Sequence, residues 1–219
     1  SSRQWLEMAS HKQRRAMYDR RSQFVRATKE GDHDFAAFGQ AIISHEIDFN
    51  KSPPSLLYRC WHLRDVAWTE KYDGEIGYIY RKWKPTVRDL CRIYPETVHP
   101  KVKARLSKEP NAKVLVYVIT MESGELYDAT SKQTHPWVKM VIDPENQWVM
   151  EEVGLWTKGY TIPRWQTVSG SQYGYSPATV AALPDARLLQ SITMTLLEAG
   201  EMAVRPAMIA TQDAIRSDI

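Results

Sequence analysis

The sequence predicts an α+β chain, with helices at the N-terminus, antiparallel β-hairpins through the middle and one long helix near the C-terminus. Three observations carry that expectation. Apolar residues recur at helical spacing near both ends, as Trp5, Met8, Met17, Phe24 and Ala27 and again as Leu189, Ile192, Leu196, Ala199 and Ala203. Between them, β-branched and aromatic runs alternate with polar residues around Tyr72-Asp73-Gly74 and Asp143-Pro144-Glu145-Asn146, both hairpin signals. The composition, 43% hydrophobic and 25% charged over 219 residues, is that of one large or two small globular domains.

From Ser1 to Glu30 the chain carries eight Lys/Arg against three acids, on a segment with amphipathic spacing. This reads as one helix stopped by Gly31. Its basic face is either a solvated surface or a polyanion contact through Arg14, Arg15, Arg20 and Arg21, since such side chains meet phosphates without reading sequence. Asp34 to Ile47 begins helix-like, with Phe35, Phe38, Ala41 and Ile42 on one side, and passes into a strand at Ile43–Phe49. Lys51 to Ser55 is a loop. Leu57 to Thr69 and Ile76 to Trp83 alternate as two strands.

Pro85 and Thr86 open a helix, Thr86 capping it with Asp89 three residues on, and Tyr94-Pro95 ends it. Val98 to Leu106 is a second short helix. Val114 to Met121 is β-branched and nearly continuous, which predicts a strand buried on both faces. The polar Gly124 to His135 segment reads as a surface loop. Trp137–Ile142 and Gln147–Val153 form a hairpin, and Gly159 turns the chain into a last short strand, Thr161–Trp165.

The stretch from Trp165 to Ala207 organises the rest. A Gly/Ser/aromatic loop, Ser169 to Ser176, leads to a segment fenced by Pro177 and Pro184, which should set a corner because each Pro biases the residue before it away from α. Gly174, between Tyr173 and Tyr175, points to a turn with φ > 0 or a close backbone approach. Asp185 then starts a helix running to Arg205. That helix is apolar over so much of its circumference that it needs more than one packing partner, in the same chain or in copies of it.

Motifs for chemistry are missing. There is no H-E-x-x-H, C-x-x-C, P-loop, G-x-G-x-x-G or G-x-S-x-G, and Ser171 sits one place too early for a nucleophile elbow. The six histidines lack ligand spacing, so no catalytic residue, metal or cofactor is expected. Asn50-Lys51-Ser52 matches a glycosylation pattern only formally. Cys60 and Cys91 read as packed thiols in a reducing setting. No run is long and apolar enough to cross a membrane. A net charge of +3 does not by itself imply nucleic acid. Two other classes stay open. One is an aromatic-rich carbohydrate- or peptide-binding module, since eight Trp and eleven Tyr could line a groove, although most sit at alternating strand positions and read as core. The other is a hydrolase whose carboxylates leave no local signature.

One ordered set of residues is more specific than any of these. Trp165, Tyr173, Gly174, Ser176, Pro177, Ala182, Leu183, Pro184 and Asp185, with the Leu/Met/Ala helix and Pro206 after them, resemble the head-to-tail connecting (portal) proteins of short-tailed bacteriophages. The F-G-x-x run in DFAAFGQAII, the Asp73-Gly74 turn leading to Tyr80, Arg81 and Trp83, and Thr86, Leu90 and Tyr94 resemble them too, in order. Family members often carry Arg where this chain has Tyr175. The resemblance implies a structural ring subunit, commonly one of twelve, at a vertex of the phage head. A separate terminase pumps duplex DNA in through the ring, and the DNA later leaves through it. It implies a wing-like part at 1–85, descending stem-type helices at 86–112, a clip-like β region at 113–168, and a loop with a returning stem-type helix at 169–219. The crown would lie beyond Ile219, which makes the chain a fragment. Implied partners are copies of itself, non-specifically held DNA, terminase, and head and tail-adaptor proteins, with no membrane. The implied location is the portal vertex of the virion, and the host cytoplasm during assembly. Arg187, Gln190 and Thr193 are the candidate DNA-facing residues on a helix otherwise poor in cations.

Overall fold

The computed structural model describes residues 2–126 and 135–206. The chain forms two compact units, Ser1–Ser176 and Pro177–Ile219. The first has N-terminal helices and two antiparallel sheets, the second a long helix, so the α+β expectation holds.

The N-terminal helix is broken where the sequence reading made it continuous. Helix α1 (Ser2–Met17) is followed by a 3-10 turn at Arg20–Ser22 and by helix α2 (Phe24–Phe38). Local side chains cause the break: Asp19 accepts the Arg21 N–H, the buried Ser22 hydroxyl donates to the Asp19 carbonyl, and Gln23 takes φ 58°. Such side chains compete with the helix for its own backbone groups. Gly31 is not the stop. It lies inside α2 and buried, where a Cβ would stand 3.1 Å from the Ile43 side chain. The stop is Gly39, at φ 75°, with its N–H returned to the Phe35 carbonyl.

Strand β1 (Ile43–Asp48) pairs with β2 (Ser55–Cys60) on one side and with the two-residue β8 (Tyr160–Thr161) on the other. The expected Leu57–Thr69 strand is two strands in different sheets. His62 Nδ1 accepts the Arg64 N–H at 3.1 Å and starts a short 3-10 turn, after which β3 (Val66–Glu70) pairs with β4 (Ile76–Trp83). The Asp73-Gly74 turn forms as read, with Gly74 at φ 81°. The sheet continues with β5 (Val116–Glu122), β6 (Trp137–Asp143) and β7 (Trp148–Leu155), in the order β3-β4-β5-β6-β7. Asp143 accepts from the Glu145 and Asn146 N–H groups and so builds the second hairpin turn. A four-residue helix α5 (Ser123–Leu126) follows β5, and the rest of the loop expected there lies outside the described residues. The expected Thr161–Trp165 strand shrinks to β8 and an isolated bridge between Gln40 and Arg164.

Helices α3 (Val87–Ile93) and α4 (Pro100–Ala104), with Val98 between them, pack Val87, Leu90, Val98 and Val102 onto Val116, Val118, Val141 and Met150 of the sheet. The Thr86 cap forms, accepting the Asp89 N–H at 3.2 Å. β5 is central in the sheet, yet only one of its faces is buried. Val116, Val118 and Thr120 point into the core while Tyr117 is exposed, contrary to the expectation of two buried faces. A second core joins strands of both sheets through Ile42, Trp61, Val66, Trp68, Ile79 and Tyr160. Fewer aromatics are core than their strand positions suggested: among the described Trp and Tyr residues only Trp61, Trp68 and Tyr160 are buried.

In the second unit the expected corner is absent. Pro177 is helical (φ −59°, ψ −33°), Ala178–Ala182 wind as a π helix, and Leu183–Val204 continue as helix α6. Leu183, just before Pro184, stays helical at φ −64°, ψ −40°. In an ordinary helix the Pro184 ring would strike the carbonyl four residues back. The wider turn, closed by Leu183 N–H to the Ala178 carbonyl, opens that space.

Candidate functional site

Two glycines far apart in sequence meet in the first unit. A Cβ on Gly39 would lie 2.3 Å from the Tyr175 carbonyl carbon and oxygen and 2.5 Å from the Ser176 nitrogen. A Cβ on Gly174 would lie 2.5 Å from the Gly39 oxygen. Neither position accepts a methyl without moving backbone. Gly174 is thus explained by close approach, while the left-handed φ belongs to Gly39.

Hydrogen bonds lock the approach. The Trp165 N–H donates to the Gly39 carbonyl at 2.7 Å, Gly174 N–H to the buried Gln40 Oε1 at 2.8 Å, and Tyr175 N–H to the Gln166 carbonyl at 2.8 Å. The Arg164 guanidinium donates to the Gln172 carbonyl at 3.1 Å and pairs with Glu70. Around this frame Trp165 meets Phe35 edge-on at 5.8 Å, and Tyr173 meets the buried Trp68 at 5.0 Å. Ser176 is buried. Trp165, Tyr173, Gly174 and Ser176 therefore come together, and their partners are Phe35, Gly39, Gln40 and Trp68. The sequence reading noted the F-G run separately, and Gln40 it did not single out. A basic side chain does reach this loop, from Arg164 rather than from the position of Tyr175.

The remaining candidates lie elsewhere. Pro177 starts the second unit, and Leu183, Pro184 and Asp185 fall in its first turns. Arg187, Gln190 and Thr193 follow at three-residue steps on the exposed α6, and the Thr193 hydroxyl donates to the Leu189 carbonyl at 2.8 Å. Of the four N-terminal arginines, Arg21 is paired with Asp19 through Nε at 3.2 Å and a second nitrogen at 3.1 Å. The hydrogen bonds from Arg21 hold the Asp19 carboxyl below its usual range. Arg3–Glu7 and Arg26–Glu30 pair likewise. Among the described residues no ion pair engages Lys12, Arg14, Arg15, Arg20 or Lys29, so the open positive charge is this set rather than one that includes Arg21.

Among the described residues no group of three or more His, Cys, Asp and Glu is placed to hold a metal ion. Burial, with Asp34 nearby, pushes the Cys60 thiol up to about 11, which leaves it a poor nucleophile. No described helix is long and apolar enough to cross a membrane. What the site does is hold backbone: it ties the end of α2 to the segment that leads into the long helix.

No individual curated protein matches the chain significantly. The family model for the bacteriophage head to tail connecting protein matches residues 1–218, and the chain belongs to that family, one of structural connectors in phage particles.

Proposed function

We propose that this head to tail connecting protein closes into a ring of identical copies, twelve being common in the family, and that duplex DNA enters the phage head and later leaves through the bore. One observation supports the reading above the others. No residue of α6 is buried, and Leu188, Leu189, Ile192, Met194, Leu196, Leu197 and Met202 are 48% to 72% exposed. Burying one such side chain is worth roughly 1.5–3 kcal/mol, so a continuous set of them favours association. Head-to-tail contacts between copies cover such a surface and close a ring.

The polar positions of α6 suit a wall past which DNA slides. Thr193 and Thr195 turn their hydroxyls back to the carbonyls of Leu189 and Ser191, at 2.8 and 3.1 Å. Gln190 is uncharged, and Arg187 is one of two cations between Asp185 and Arg205. Such a face lacks both base-reading groups and a dense phosphate clamp. In this reading residues 1–85 act as the wing-like part, 86–112 as descending stem-type helices, 113–168 as the clip-like part and 169–219 as the returning stem. Terminase, head and tail-adaptor proteins are the partners, and the chain catalyses no step itself. It acts at the portal vertex of the virion after assembly in the host cytoplasm.

Negative-stain images of the protein should show rings with a central hole. Strictly monomeric sedimentation at micromolar concentration would overturn the proposal. Duplex binding by this chain should be weak, indifferent to sequence and dominated by α1, its log–log salt slope close to −0.9 per phosphate contacted, by an estimate of about one counterion each. Replacing Lys12, Arg14, Arg15 and Arg20 by Gln should flatten that slope in an anisotropy titration, whereas Arg187→Gln should leave it nearly unchanged. Tight preference for one sequence would contradict the conduit.

A further inference from the structure

Arg81 lies in the middle of β4, opposite Val118, and is 8% exposed. Its guanidinium stands 4.1 Å from the Trp61 ring centroid and 5.9 Å from that of Tyr160. A second guanidinium, that of the exposed Arg59, stands 4.4 Å from the same Trp61 ring. Two planar cations thus share one ring. The indole is held by its Nε1–H, which donates to the Ser44 hydroxyl at 2.8 Å.

Stacking satisfies the faces of these guanidiniums and leaves their edges open, because all five N–H donors lie in the plane. The Arg81 Nε is fully buried and has no hydrogen-bond partner. Among the described residues neither Arg59 nor Arg81 forms an ion pair. Although the residue is exposed overall, desolvation lowers the basicity of Arg59 first and the charge of Arg81 next. Glu46 offsets this, while Arg26 and Glu30, which also act on it, pair with each other. Two cations against one carboxylate leave the cluster one negative charge short.

We propose that the Arg59–Trp61–Arg81 cluster is a receptor for a carboxylate carried by another protein chain, an Asp or Glu side chain or a C-terminus. The carboxylate is taken up by the open edge of Arg81, with Arg59 at the rim. A carboxylate on a short flexible stem can reach a recessed guanidinium and match its fork. The backbone of a duplex is stiff and convex and cannot follow it below the surface, so DNA phosphate is the poorer fit.

The full chain can be tested directly through the Trp61 indole N–H signal in ¹H–¹⁵N spectra, assigned with Trp61→Phe. A hexaglutamate peptide, and more weakly acetate, should shift that signal saturably, while chloride at equal ionic strength should not. Arg81→Lys should weaken hexaglutamate roughly tenfold to a hundredfold, the range for losing a charged hydrogen-bond pair. Arg59→Gln, at an exposed position, should weaken it less while leaving the fold intact. A signal that ignores hexaglutamate, that moves equally with chloride, or whose titration is unchanged in Arg59→Gln would overturn the receptor. A duplex oligonucleotide that shifts the signal at lower concentration than the peptide would overturn the assignment to carboxylate.

Discussion

Gly174 gives its N–H to a side chain 134 positions earlier, and Trp165 gives its own to the Gly39 carbonyl. In α6, by contrast, the threonine hydroxyls bond back to their own helix four residues away, and no side chain is buried. Both regions belong to the one stretch that resembles the phage connectors most closely. The difference teaches that a family signature can mix two kinds of constraint. The glycine junction is completed within the chain and is intolerant of a single carbon. The helix is complete as a helix, and its apolar surface is what a neighbour would specify.

The harshest test of this contrast is Gly39→Ala. It combines a left-handed φ with a Cβ placed 2.3 Å from backbone, and should cost on the order of 3–5 kcal/mol. A urea midpoint close to that of the parent would show that the junction yields, and the contrast would fail. Gly174→Val should cost less, on the order of 1–3 kcal/mol, because no left-handed φ is involved and the resistance comes from the Gly39 oxygen and, at 3.3 Å, the Arg164 Cβ. If instead it proved the costlier of the two, close approach rather than φ would be the controlling constraint.

The same chemical change should reverse its sign in the helix. A Cβ on Gly200 meets nothing within 4 Å, so Gly200→Ala should stabilise α6 by about 1 kcal/mol of helix propensity. Far-UV circular dichroism of the chain should show more helix, and a loss would contradict the exposed reading. The smallest effect on stability belongs to Leu196→Glu, within about 0.5 kcal/mol for an exposed site. Its consequence for the proposed ring should be large, since a buried Glu at that contact should prevent closure. A variant that melts early and still forms rings would place Leu196 in a core and sink the division.

How far the sequence reached depends on the span of the interaction involved. Asp73-Gly74, the Thr86 cap and the Asp143 turn were legible because donor and acceptor lie within a few residues. The extent of α6 was legible to within about two residues because its apolar run is bounded by Pro184 and Pro206, by the usual uncertainty of helix ends. The corner expected before it does not form, because a π turn can admit a proline that an ordinary helix would expel. Gly31 and Gly39 look alike in sequence. Only the passage of α2 beside Ile43, and of Tyr175 beside Gly39, separates a packed glycine from a terminating one. The break at His62 between two sheets, the exposed side of β5 and the stacking of Arg59 and Arg81 on Trp61 were likewise decided by tertiary structure. Local hydrogen bonds and periodicity act along the chain and can be read from it. Which backbone approaches which, and which face another layer covers, depends on closing long loops around a shared core, and that is settled only when the whole chain packs.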